Sequence, residues 1–411
     1  MALYLQISRR ISLSASGKSQ SPAVKVAVIA VALSFSVMLA AICIVNGFNR
    51  EIRDKVAGFN SHITIVPSRD SQQSTIRLSP AVKEYFSSIP YVNNVSGELS
   101  VPAVLKTESD FKGVYVKGID EGDTFDFIAH KSIVSGHSPD FTSEEDAGSI
   151  IISQQASNQL GISAGDSLLT YFITDDIRLR KLKVSGIYNS RFENYDNLFA
   201  YAPISTVREI SGIGPEDVTS IHIHTSEFDS IPYHTLLLHQ RLSMAEDAPA
   251  LPSVNIENIF TQGASFFQWL SLLDTNVIVI LVLMGIVTIV TMISAMLIVI
   301  TDKIKFIGIL KSLGTSNLLI RKIFIMLSLK VTVIGLFIGN AIMIPMLLIQ
   351  EKFRIFPLDP ESYYIDFVPV EMSVITVVAL NAAVILLVVV SLLLPSGYVA
   401  KISPAETLKY D

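Results

Sequence analysis

The chain has a single cysteine, Cys43, and a single tryptophan, Trp269, among 411 residues, and only 17% of its residues are charged. One cysteine excludes a disulfide scaffold and a zinc ribbon. The shortage of charge says more. A soluble domain carries about 25% charged residues, whereas here half of the residues are hydrophobic and the mean hydropathy is +0.49, so part of the chain has a solvent other than water. Disorder and collagen are excluded by the same composition. With 31 basic against 37 acidic residues the formal net charge is -6, the wrong sign for binding nucleic-acid phosphates. Catalytic motifs are missing as well: there is no His-Glu-x-x-His and no Gly-x-Ser-x-Gly. Gly17-Lys18-Ser19 ends like a phosphate-binding loop, but Ser12 stands where its first glycine belongs, and we read the match as coincidence. No cofactor site is expected in this chain.

Long apolar runs are what the sequence has instead. A bilayer core of about 30 Å needs about 20 apolar residues in helix, and four such runs occur: Val26 to Val45, Val277 to Ile300, Ile323 to Ile349 and Val374 to Leu394. The first is too long for the apolar core of a cleavable signal and has no small-residue cleavage site after it, so it is predicted to stay as an anchor. Cys43 then packs inside it as a small apolar residue. The predicted segments are 1–25 inside, spans at 26–46, 275–300, 323–349 and 373–395, an outer domain at 47–274, an inner loop at 301–322, an outer loop at 350–372, and a tail at 396–411.

Basic residues set the orientation. Arg9, Arg10, Lys18 and Lys25 precede the first span with no acid among them, and Lys303, Lys305, Lys311, Arg321 and Lys322 oppose Asp302 alone between the second and third. Both segments are predicted to face the cytoplasm, which places both termini there. The segment from Gly47 to Asp274 holds 17 basic and 29 acidic residues and all seven histidines, as expected of an outer domain.

Within that domain, Phe48, Ile52 and Val56 continue the first helix past the membrane, and Ile256, Ile259, Phe260, Ala264, Phe267 and Leu270 recur at helical spacing before the second span. Two helical stalks are predicted, with Trp269 at the membrane interface. Alternation predicts strands at His62 to Val66, Val101 to Leu105, Val114 to Val116, Leu168 to Ile173, Leu179 to Ile187 and Ser220 to His224. Ser79 to Ser88 and Gln154 to Leu160 read as short helices, the second closed by Gly161. The fold class is therefore a four-helix membrane protein with a large α+β domain between its first and second helices, that domain in one or two lobes. His222 and His224 share a strand face, which we read as a surface face and not a metal site. The acidic run Glu144-Glu145-Asp146 reads as a solvated loop.

Inside the membrane, Lys330 is the one charge, and it either snorkels to the headgroups or meets a buried partner. Gly335 and Gly339 form a small-xxx-small pair followed by Asn340, with Pro345 a possible kink. Their bland reading is close helix packing; their sharper one is a lipid-entry seam between two copies of the chain. Asn381 in the fourth span is expected to make an interhelical hydrogen bond. In the inner loop, Phe306, Ile309, Leu310 and Leu313 form one apolar stripe of a short helix, with Gly314 at its C-terminus and Ser316 or Asn317 capping the next. That stripe suits either lipid headgroups or a groove in a cytoplasmic partner.

The same residues carry a resemblance. Ile307-Gly308-Ile309-Leu310-Lys311-Ser312-Leu313-Gly314 resembles the "IGILKALGA" signature of FtsX-like permeases, the membrane subunits of the MacB-type ABC transporter class, and Ile402 to Leu408 resembles their "ISPAEAL". Val45-Asn46-Gly47-Phe48, Lys117-Gly118-Ile119-Asp120, Leu160-Gly161 with Gly165-Asp166, Glu193-Asn194-Tyr195-Asp196 and Tyr363 to Val370 are similar to the lipoprotein-releasing (Lol) permeases. The resemblance runs over nearly the whole chain. It implies a permease that pairs with a separate LolD-like ATPase, which would bind the ATP and Mg, and with a second copy or a sister permease. It also implies lipoprotein substrates and a periplasmic LolA-like chaperone. Lys303, Lys305, Ile307, Gly308, Leu310, Lys311 and Gly314 would form the helix that couples to the ATPase, while Lys330, Gly335, Gly339 and Asn340 would line the seam. FtsX-like regulators of cell-wall hydrolases and MacB-type efflux permeases are the alternatives. One departure stands out: the hairpin from Leu169 to Lys183 turns tightly at Thr174-Asp175-Asp176, where one Lol permease type carries a long hook for the chaperone.

Overall fold

In the computed structural model, residues 22–71, 73–119, 132–138, 148–174, 176–244, 249 and 251–392 are described. The basic residues Arg9, Arg10 and Lys18, the Gly17-Lys18-Ser19 match, Asp120, the acidic run 144–146, Asp175 and the C-terminal motif lie outside them. The chain forms two compact units. One comprises the chain through Arg50, Trp269–Pro357 and the chain from Phe367 onward; the other comprises Glu51–Gln268 and Leu358–Asp366.

The first three apolar runs are helical, within Pro22–Phe59, Ala264–Asp302 and Asn317–Phe353, and the fourth is helical over Val374–Ser391, each helix long and apolar enough to cross a membrane. At about 1.5 Å per residue the first three exceed the bilayer core considerably. The first runs on through Phe48, Ile52 and Val56, all buried, as their spacing predicts. The second begins later than predicted. Ile256 belongs to an edge strand, because Val254–Asn258 pairs with Ile63–Pro67. Asn258 then caps the single turn Ile259–Gln262 through a capping box with Thr261, and the long helix starts only after Gly263. Trp269 packs edge-on to Phe48, ring centroids 5.6 Å apart. The membrane unit is closed by an apolar core that includes Val31, Phe35, Leu39, Met292, Met296, Leu336 and Val384.

In the outer unit the strands in chain order are β1 (Ile63–Pro67), β2 (Ile76–Arg77), β3 (Val92–Lys106), β4 (Phe111–Ile119), β5 (Ile133–Gly136), β6 (Ser149–Ser153), β7 (Ser167–Ile173), β8 (Ile177–Tyr188), β9 (Phe199–Pro203), β10 (Asp217–Val218), β11 (Ser220–Thr225) and β12 (Val254–Asn258). Ten pair in the order β12-β1-β11-β3-β4-β9-β6-β8-β5, with β7 joining β3 to β8. The ladder β3-β4-β9-β6-β8-β7 therefore closes on itself, a solution that removes free sheet edges. Leu99, Val101, Ala103, Leu105, Val116, Ile150, Phe172 and Val184 belong to the apolar core associated with it. A second lobe extends from the same long strand: the first half of β3 pairs with β11, from Val92 to Glu98, and its second half pairs with β4 and β7. The two predicted short helices are present. Ser79 caps Pro80–Ser87, and Gly161, at φ +65°, ends Gln154–Leu160.

Candidate functional site

Between the second and third spanning helices lies the short helix Ile304–Ser312. Its end is a Schellman motif: Thr315 N–H reaches the Leu310 carbonyl at 3.0 Å, Gly314 N–H reaches the Lys311 carbonyl at 3.0 Å, and Gly314 takes φ +83°. Ser316, not Asn317, caps the next helix, its hydroxyl accepting from Leu319 N–H. The predicted stripe is not the buried face of this helix: Ile307 and Gly308, which lie off it, are buried, Ile307 within the chain's own membrane core, which also contacts Ile304, whereas Phe306 is only half-buried and Ile309 and Leu313 are 49% and 76% exposed. Lys303 occupies the N-cap position without a side-chain cap bond, Lys305 is exposed, and Leu310 and Lys311 are half-buried. Two short turns thus set this helix apart, and it presents apolar side chains outward.

The two glycines of the small-xxx-small pair pack on the first helix. A Cβ on Gly335 would lie 2.9 Å from Val31 Cβ and 3.0 Å from the Val28 carbonyl, and one on Gly339 would lie 2.9 Å from Phe35 Cδ1 and 3.0 Å from the Ala32 carbonyl. What approaches these glycines within the chain is its first helix, because only a missing side chain lets the two backbones come this close. Asn340 donates to Asn381 Oδ1 at 2.9 Å, joining the third and fourth helices. Lys330 is half-buried.

The outer unit holds a buried charged group that motif spacing did not reveal. His222 was expected on an exposed strand face; the structure corrects this, since His222 is 9% exposed and lies 3.8 Å from Glu98 on the neighbouring strand. Glu98 also receives Lys117 Nζ at 3.2 Å, and that ammonium sits 4.5 Å over the Phe199 ring. Lys117 is the lysine of the Lys-Gly-Ile-Asp motif. Burial opposes the Glu98 charge, but Lys117 and His222 outweigh it and hold the carboxyl below its ordinary 4.5. Burial pushes the His222 imidazole below 6.5, with Lys117 adding to the effect and Glu98 opposing it. His224 instead contacts His62, ring centroids 5.2 Å apart. Among the described residues no group of His, Cys, Asp and Glu side chains could hold a metal.

Two further motifs, far apart in sequence, meet around Lys55. Its Nζ donates to the Tyr364 carbonyl at 2.8 Å, and Arg191 pairs with Asp366 beside it. Arg191 and Tyr364 both take positive φ, 62° and 61°, a conformation uncommon for side chains of this size. Burial and Arg191 push the Lys55 ammonium down to about 8, against Asp366, Glu51 and Asp196. Tyr195 packs between Phe59 and Phe192 and hydrogen-bonds Asn60. The β7–β8 turn is short, as predicted, with the Thr174 hydroxyl donating to the Asp176 carbonyl.

A family model described as the MacB-like periplasmic core domain matches residues 26–232, and one for the FtsX-like permease C-terminal region matches residues 278–404. The chain is 22% identical to the lipoprotein-releasing system transmembrane protein LolE of Haemophilus influenzae, over 95% of this chain and 96% of that one. It is 22% identical to the lipoprotein-releasing system transmembrane protein LolC of Xylella fastidiosa, over 93% of each. Among solved structures it is similar to the periplasmic region of MacB from Actinobacillus actinomycetemcomitans, at 16% identity and a TM-score of 0.33, over 51% of this chain and 94% of that one.

Proposed function

We propose, from the premise that this chain belongs to the family of permeases that carry a MacB-like periplasmic core domain and an FtsX-like C-terminal region, that it is the membrane subunit of an ABC transporter releasing lipoproteins from the inner membrane. The reading is supported by relatives named for lipoprotein release that align along almost the whole chain. The observation that carries it mechanically is the capped helix Ile304–Ser312 between two spanning helices, with Ile309 and Leu313 facing outward.

On this reading the ATP and Mg belong to a separate LolD-like ATPase in the cytoplasm, and both termini of this chain lie on that side. The ATPase seats the exposed apolar side chains in a surface groove. A connector fixed at both ends transmits a displacement where a floppy one would absorb it, and the Schellman turn and the Ser316 cap fix both ends of the turn that leads into the third span. Ile307 roots the same helix in the membrane core, so a push on its outer face reaches the second and third spans together. A second copy or a sister permease completes the transporter, and a LolA-like chaperone receives the released lipoprotein.

Depletion of the chain in its native cell tests the reading. Acylated lipoproteins destined for the outer membrane should accumulate in the inner membrane; normal sorting after depletion rules lipoprotein release out.

A further inference from the structure

The outer unit carries an open cavity of about 590 Å³ that includes the polar face of the sheet where β11, β3 and β4 lie side by side. Glu98, Lys117 and His222 line it at 9%, 8% and 9% exposure, and Tyr195, Phe199 and Phe266 line it as well. The volume suits a small molecule, since ligand pockets run from about 300 to 1,000 Å³. Nothing in the coupling of the membrane helices to an ATPase makes use of it.

A buried ion pair is an expensive way to hold a sheet together. An apolar pair of similar volume commonly serves as well or better, because each ion must give up its hydration. Facing a cavity, the same pair sets a rule for what can enter. A ligand with one charge would engage either Glu98 or Lys117 and strand the other in a buried place. A ligand with both charges replaces one ion pair with two and strands nothing. The aromatic side chains then take its apolar part, and an ammonium gains further from a ring face.

We propose that this cavity binds a small zwitterion, its anionic group on Lys117, its ammonium on Glu98 and its apolar part against Phe199 and Phe266. Free amino acids and the phosphoethanolamine headgroup of a lipid share this chemistry.

Calorimetric titration of the full-length chain in detergent, stripped of lipid, tests it with two zwitterions, leucine and glycerophosphoethanolamine. Their single-charge counterparts are 3-methylbutylamine and 4-methylpentanoate for the first, ethanolamine and glycerol phosphate for the second. At least one zwitterion should bind saturably and at least tenfold more tightly than either of its counterparts. Leu198→Trp, at a half-exposed position lining the cavity, should weaken that binding at least tenfold while leaving the unfolding temperature unchanged. This variant leaves the buried charges untouched, so it stays informative even where Glu98→Gln fails to fold. Binding of leucine alone identifies an amino-acid ligand, binding of glycerophosphoethanolamine alone a lipid headgroup, and binding of both the shared chemistry. Absence of saturable binding by either zwitterion, equal binding of the single-charge counterparts, or full binding by Leu198→Trp overturns the proposal. Lipoprotein sorting after depletion is read independently of this result.

Discussion

Lys117→Met should destabilise the outer unit by about 3–5 kcal/mol, the usual cost of removing one partner from a buried ion pair. The structure allows this to be worked out a second way. Glu98 and Lys117 have side chains only 12% and 10% exposed and lie 3.2 Å apart, so without Lys117 the carboxylate is stranded unless it takes up a proton. Its ordinary pKa is 4.5, and at about 1.4 kcal/mol per unit, protonation at neutral pH costs roughly 3.5 kcal/mol. The two routes agree. The double variant Glu98→Met with Lys117→Met leaves no charge to strand and should cost no more than about 1 kcal/mol, although it loses the same ammonium from the Phe199 ring. Hydrogen exchange of the β3 and β4 amides in the intact chain reads the difference. Protection should fall roughly a hundredfold to a few thousandfold in the single variant, at tenfold per 1.4 kcal/mol, and mostly return in the double. An effect below fivefold in Lys117→Met, or equal losses in both variants, would refute the reasoning. The pH dependence has a definite sign. Glu98 and His222 both titrate below their ordinary values, so the unfolded chain binds more protons and their stabilisation is complete above about pH 6.5. It declines as pH falls, His222 first, through the window below 6.5, and Glu98 next, below 4.5. In Lys117→Met the Glu98 carboxyl rises above 4.5 instead, and the deficit of that variant should shrink on acidification.

Gly339→Ala should cost about 1–3 kcal/mol by overpacking, since the Ala32 carbonyl it meets cannot rotate away as Phe35 can; unfolding in mixed detergent micelles measures this, and wild-type behaviour would place the first helix elsewhere. Asn340→Leu removes a hydrogen bond inside the membrane and should cost only about 0.6 kcal/mol, below 2 in any case, so the same assay should rank it under Gly339→Ala. Gly314→Ala forces a side chain into the left-handed region at about 1–2 kcal/mol; exchange of amides 310–315 should rise, and ATP hydrolysis by the reconstituted complex should lose its dependence on substrate. Ile309→Asp combined with Leu313→Asp should abolish copurification of the ATPase while leaving the unfolding temperature unchanged, because neither side chain contributes to the membrane core.

The spanning helices were readable because membrane insertion depends on the apolar length of a contiguous segment, and caps were readable because Ser79, Gly161, Gly314 and Ser316 act on their own turns. Ile256 misled for the opposite reason: its helical spacing is real, but β1, almost 200 residues earlier, offers it a ladder of backbone hydrogen bonds. His222 misled similarly. Its strand alternates, yet whether the polar side of that alternation faces water depends on what covers it, and the positions of Tyr195, Phe199 and Phe266 are set by other segments.

Composition and local pattern by themselves determined the four spans, the large polar domain between the first two, and the short capped helix between the second and third. These are properties of solvent preference and of single turns, and they need no distant neighbour. Tertiary structure alone decided which helix packs on Gly335 and Gly339, that β7 closes the ladder from β3 to β8, and that Lys117 and His222 converge on Glu98. Each of those depends on contacts across many residues of sequence, where burial turns a tolerated polar side chain into a charge that must find a partner.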